Sequence, residues 1–145
     1  MYRHILIPTD GSALSEMAVR HGMALAKALG AKVTVLTASL PFRSLAIDPV
    51  MVTDTPERYQ QDCDALAEKA LGIARTEAGA AGVPCETLHV TQAQPYRAIV
   101  ETAQERGCDL ICMASHGRKG LSAFVLGSET YTVLTHSKIP VLVCR

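Results

Sequence analysis

What the chain lacks narrows its function before any motif is read. No run of its 145 residues is long and apolar enough for a transmembrane helix. The short apolar start, Ile5-Leu6-Ile7, meets Pro8 and then Asp10, too soon for the core of a secretory signal. A soluble, cytoplasmic protein is expected. Net charge is also missing: 14 basic residues balance 14 acidic ones, so no overall field draws the molecule onto nucleic acid or anionic lipid. The five cysteines (63, 85, 108, 112 and 144) are odd in number and lack zinc-type spacing or a supporting His/Cys cluster. They read as small core hydrophobes in a reducing compartment. Neither G-x-x-x-x-G-K-[ST] nor a G-x-G-x-x-G after the first strand is present. There is no Ser/His/Asp order or paired-carboxylate motif to support hydrolysis.

What is present is an ordinary globular composition, 48% hydrophobic and 19% charged, of a length that expects one domain over 1–145. Apolar and β-branched segments at 4–9, 32–38, 85–91, 109–114 and 140–144 read as strands. Helices are expected at 13–29, from Thr55-Pro56 to about 80, from Gln94-Pro95 to 106, and at 128–137. In the first, Leu14, Ala18, Leu25 and Ala28 or Leu29 share a side. In the second, Tyr59, Cys63, Leu66, Ala70 and Ile73 recur at helical spacing; the third carries Ile99, Val100 and Ala103. The connection 39–55 is broken by prolines yet apolar, as in a lid, binding loop or contact surface, with room for local helical turns.

The strict alternation of strand and helix predicts a doubly wound α/β domain, a parallel sheet with helices on both faces. Ligands of such sheets bind at the carboxyl ends of the strands, where strand order reverses. Two segments supply the halves of that place. One is Pro8-Thr9-Asp10. The other is the loop from Ala114-Ser115-His116-Gly117 to Gly127-Ser128, which joins a buried strand to a helix start and so suits an anion. Were the first and fourth strands neighbours, Asp10 would face that loop and could hold Mg²⁺ or Mn²⁺ against phosphate oxygens. Its alternative role is to cap the first helix. Arg118 and Lys119 read as an exposed basic turn or as a phosphate screen. His116, with no carboxylate paired to it in sequence, reads as a structural hydrogen-bonding residue, and His21 and His89 as helix-face and strand-face residues.

Two quoted segments make the pattern specific. Residues 5–12, ILIPTDGS, and 109–144, DLICMASHGRKGLSAFVLGSETYTVLTHSKIPVLVC, resemble the opening and closing patterns of the universal stress protein family. The resemblance spans the chain. It implies a five-stranded parallel sheet in the order 3-2-1-4-5, an adenine-nucleotide alpha-hydrolase-like fold, and usually a homodimer joined through the last strand, here 139–144. It also implies the ATP-binding-type subgroup, marked by G-x-x-G-x9-G-[ST]. Gly117, Gly127 and Ser128 satisfy that pattern, whereas Ala114 replaces its first glycine, adding a methyl where φ > 0 would be costly.

By the same resemblance, Pro8, Thr9 and Asp10 line the nucleotide, with Asp10 nearest the phosphates or metal, and Ala38 meets adenine through its backbone. Met113, Ala114 and Ser115 pass beneath the ribose, while Gly117, Gly127, Ser128, Glu129 and Thr130 hold the phosphates. Glu129 is expected to help only through its backbone. The implied function is an adenine-nucleotide-binding stress-response module (ATP, ADP or AMP, with Mg²⁺ or Mn²⁺) acting as a homodimer through an unidentified protein partner. The alternatives are a slow ATPase using the same cleft, or a structural dimer that binds no nucleotide.

Overall fold

The computed structural model describes residues 1–45, 55–117 and 126–145. Five parallel strands, β1 (His4–Pro8), β2 (Lys32–Ser39), β3 (Cys85–Thr91), β4 (Leu110–Ala114) and β5 (Val141–Cys144), form one sheet in the order β3-β2-β1-β4-β5. The helices are α1 (Ala13–Leu29), α2 (Phe42–Leu45), α3 (Pro56–Ala81), α4 (Pro95–Glu105) and α5 (Ser128–His136). The expected doubly wound architecture is therefore the observed one. Strand and helix ends fall within about two residues of the sequence expectation, the usual scatter of frayed termini. Of the connection 39–55, residues 46–54 lie outside the described residues, as do Arg118 and Lys119; Phe42–Leu45 form one helical turn.

Strand alternation divides the core into two layers. Ile5, Ile7, Val33, Val35, Leu110 and Cys112 point toward α1 and α3, whereas Leu6, Leu36, Ile111 and Met113 point toward α4 and Val133 of α5. A period of two that buries both faces is what a parallel sheet covered by helices requires. Ser12 caps α1 by accepting from the Ser15 N–H, and Thr55 caps α3 by accepting from the Arg58 N–H. Gly30 (φ 67°) and Gly82 (φ 69°) close the same two helices in the left-handed conformation that glycine adopts without steric cost.

The helix faces correct the sequence reading. α1 buries Ser15, Ala18, Val19, Gly22, Met23 and Ala26, while Leu14 and Leu25 are only half-buried and Ala28 and Leu29 are exposed. α3 buries Ala67, Ala70, Leu71, Ala74 and Ala78; Tyr59, Cys63 and Ile73 are half-buried, and Leu66 is exposed. Small residues face the sheet because these helices lie close to it. A Cβ at Gly22 would collide with the fully buried Ile7 side chain. In α4 the buried set is Ala98, Ile99, Thr102 and Ala103, with Val100 half-buried.

Polar groups at the amino ends of the strands are satisfied locally. Asp109 accepts from the backbone N–H groups of Arg3 and His4, at 2.9 and 3.0 Å. Burial pushes its carboxyl up, but these bonds outweigh that and leave it below the ordinary value. His4 is buried with its Nε2 2.8 Å from Thr34 Oγ1, and desolvation lowers its pKa, assisted by the Lys32 charge. All five cysteines are free thiols. Burial raises Cys108 to about 11 and Cys112 to about 12, so both remain neutral core groups as expected.

Candidate functional site

β1 and β4 are adjacent at the centre of the sheet, and the chain leaves them for helices in opposite layers. A cleft of about 230 Å³ opens at their carboxyl ends. β1 and the turn after it supply Pro8, Thr9 and Asp10, and β2 supplies Leu36 and Ala38. β4 and the following loop supply Met113, Ala114, His116 and Gly117. α1 adds Ser15, α4 adds Pro95 and Ile99, and α5 adds Glu129 and Thr130. The floor is mostly apolar and the rim polar. Such a cleft suits a flat, weakly polar moiety inside and a charged group at the mouth.

The hydroxyls beneath the rim are committed to the scaffold. Thr9 Oγ1 lies 3.0 Å from Ser15 Oγ and accepts from the Gly11 N–H, Thr37 donates to the Thr9 carbonyl, and Thr130 donates to the Ala114 carbonyl at 2.9 Å. All four hydroxyl residues are buried. Their bonds lock the strand ends together, so the cleft wall is preorganised. His116 Nδ1 lies 3.2 Å from Ser115 Oγ, the hydrogen-bonding role expected of it.

Asp10 is exposed at the cleft rim, and its Oδ1 accepts from the Ser12 N–H at 2.9 Å. Ser12, not Asp10, is the cap of α1; Asp10 orders the turn ahead of it. Gly117 packs so closely on this carboxylate that an added Cβ would collide with Oδ2. Gly127 is similarly confined: its Cβ would lie 3.0 Å from His116 Cα and from the Ser115 carbonyl, to which its own N–H donates at 2.7 Å. Both motif glycines are thus closely packed, Gly127 against backbone and Gly117 against the end of a side chain; neither has a positive φ. Ala114 is an ordinary strand residue paired with Cys144, and no described non-glycine residue has a positive φ. The backbone strain expected of an alanine at that position does not arise.

The family model described as the universal stress protein family matches residues 1–145. The chain belongs to the universal stress protein family. It is 31% identical over 157 residues to a universal stress protein of Methanocaldococcus jannaschii, covering 100% of this chain and 96% of the relative. A universal stress protein of Thermus aquaticus is 32% identical over 146 residues, covering 100% of both chains. The solved structure of that Methanocaldococcus protein superposes with a TM-score of 0.81 at 29% identity, covering 99% of this chain and 96% of that one. A universal stress protein solved in complex with cAMP superposes with a TM-score of 0.69 at 29% identity, covering 99% and 97% of the two chains.

Of the residues that the resemblance to universal stress proteins assigns to the nucleotide, Pro8, Thr9, Asp10, Ala38, Met113, Ala114, Gly117, Glu129 and Thr130 converge on the cleft. Ser115, Gly127 and Ser128 stand behind or beside its lining. Ser115 is buried, Gly127 supports His116, and Ser128 is exposed at the first turn of α5. Reasoning from motifs missed Ser15, Leu36, Pro95 and Ile99, and it gave His116 no place in the lining. The signal for Ser15 was its position one turn into the helix that follows Asp10. Pro95 and Ile99 come from α4, whose sequence carries no ligand motif.

Proposed function

We propose that this universal stress protein binds an adenine nucleotide (ATP, ADP or AMP) in the cleft and acts as a cytoplasmic homodimer that relays occupancy to a partner protein. One observation carries the reading: at the mouth of a mostly apolar cleft, Gly117 leaves room beside the Asp10 carboxylate and Gly127 beside the Ser115–His116 backbone. The apolar floor accepts the purine, and the phosphates lie toward Asp10 and the start of α5, where backbone N–H groups and the helix dipole favour an anion. The related protein solved with cAMP supports an adenine-bearing ligand.

Among the described residues, the lining carries the carboxylates of Asp10 and Glu129 and no lysine or arginine. A polyphosphate there calls for a cation. No group of three or more His, Cys, Asp or Glu side chains able to hold a metal occurs among the described residues. A Mg²⁺ or Mn²⁺ ion would therefore be shared between Asp10 and phosphate oxygens, as hard, oxygen-seeking cations commonly are. Replacing Asp10 with Ala tests this. ATP affinity should fall at least about tenfold in the presence of Mg²⁺ and change little in its absence; equal losses in both conditions would refute the metal role.

Support for the homodimer comes from the sheet edge. Among the described residues β5 pairs only with β4, and Leu142 on it and Tyr131 and Leu134 on α5 expose large apolar side chains. An open apolar strand edge of this kind is ordinarily covered.

A further inference from the structure

α4 begins without a cap of its own. Its N-cap residue, Gln94, makes no side-chain capping bond, and Pro95 at the first helical position has no N–H to offer. The first orphan donor of the helix is the Tyr96 N–H. It is met from outside the helix: Glu129 Oε2, on the first turn of α5, accepts from it at 3.0 Å. A second contact ties the same two helices, the Tyr96 ring lying 4.8 Å from the His136 ring. One carboxylate therefore serves the amino ends of two helices, its own and its neighbour's, both favourable places for negative charge.

The consequence falls on the cleft. Pro95 and Ile99 of α4 line it, and so do Glu129 and Thr130 of α5. We infer that Glu129 is a positioning residue that clasps α4 to α5 through the Tyr96 N–H and so fixes the width of the pocket. This deepens the adenine-nucleotide reading above and rests on it. If Glu129 sets pocket width, removing its carboxylate weakens every ligand that fills the apolar part equally, with or without phosphate. If it acts on phosphate by charge, its removal favours the most highly charged ligand most.

The test titrates adenosine, AMP and ATP into the wild type, Glu129→Ala and Glu129→Gln, and follows hydrogen exchange at the Tyr96 amide in all three proteins. Glu129 is exposed, so neither variant threatens the fold. The expected result is a loss in Glu129→Ala of about three- to tenfold, the same for all three ligands, with faster exchange at Tyr96. Glu129→Gln, which retains an acceptor oxygen, recovers most of both effects. Tighter ATP binding with unchanged adenosine binding in Glu129→Ala overturns the inference, as does unchanged exchange at Tyr96. Faster exchange with unaltered affinities also overturns it, while leaving the nucleotide reading intact. A wild type that binds none of the three ligands overturns that reading and the affinity claim together.

Discussion

His4 shows how a single residue can govern the response of this fold to acid. It is buried and bonded to Thr34, and desolvation, the largest influence on it, holds its pKa below the ordinary 6.5. In the unfolded chain the imidazole takes up a proton near that ordinary value, whereas the native state resists. The unfolded state then binds more protons, so stability is complete above pH 6.5 and falls as pH drops toward the lowered native value. Asp109 acts in the same direction further into acid. Its native pKa lies below 3.8, so its contribution is present above that value and is lost as pH falls through the native one. Urea unfolding of the wild type and His4→Gln at pH 7.5, 6 and 5, pH points chosen to straddle the histidine titration at about 6.5, checks the claim. The variant's stability should vary less with pH over this range; parallel profiles would exclude His4 as the source. Thr9 and Thr130 make a related point at the cleft. The family resemblance assigns both to the nucleotide, yet their hydroxyls, with that of Ser15, are already engaged in holding the scaffold in place.

At the scale of the element, the order of strands and helices was legible because alternating apolar strands, capping residues and terminal glycines are local signals. Helix rotation was not. Sequence periodicity put Leu14, Leu25 and Leu66 on the same faces as Ala18 and Ala70, yet of these the sheet receives only the alanines, joined by Gly22, Ala26, Ala67, Ala74 and Ala78. Large side chains advertise a face by hydropathy; close approach selects small ones by volume, which no local pattern declares. The same limit concealed Pro95 and Ile99 from the site, because the packing of α4 on the sheet brings them there. Two glycines make the distinction measurable. Gly22→Val would drive a branched side chain into buried Ile7, and a loss of about 1–3 kcal/mol is expected from overpacking. Gly79→Ala, exposed on α3 with nothing within 4 Å of the added methyl, should gain about 0.5–1 kcal/mol from helix propensity. Chemical denaturation of both variants decides the matter; a neutral Gly22→Val would contradict the close packing of α1 on β1.

For the whole molecule, one sheet has two different edges. β3 is overlain by α3 and extends the paired register of β2 over seven residues, while β5 is short and presents Leu142, 42% exposed, to solvent. If β5 joins two copies, Leu142→Asp should yield a monomer by analytical ultracentrifugation with its circular dichroism unchanged. A wild type that is already monomeric at tens of micromolar, about the range in which modest interfaces assemble, would remove the dimer from the account. Such an interface would run beside the cleft, since the Ser115 N–H donates to the Cys144 carbonyl at 2.7 Å and so ties the edge strand to the end of β4 behind the cleft.

The central claim is that the cleft holds an adenine nucleotide, and calorimetric titration of ATP addresses it most directly. The protein should first be unfolded and refolded to remove any ligand carried through purification, then titrated with and without Mg²⁺. The account predicts saturable binding at one site per chain with a dissociation constant on the order of micromolar, about −8 kcal/mol, together with a rise in melting temperature that grows with ligand concentration. No heat and no thermal shift at millimolar ATP, a concentration that reveals even binding of about −4 kcal/mol, would contradict it.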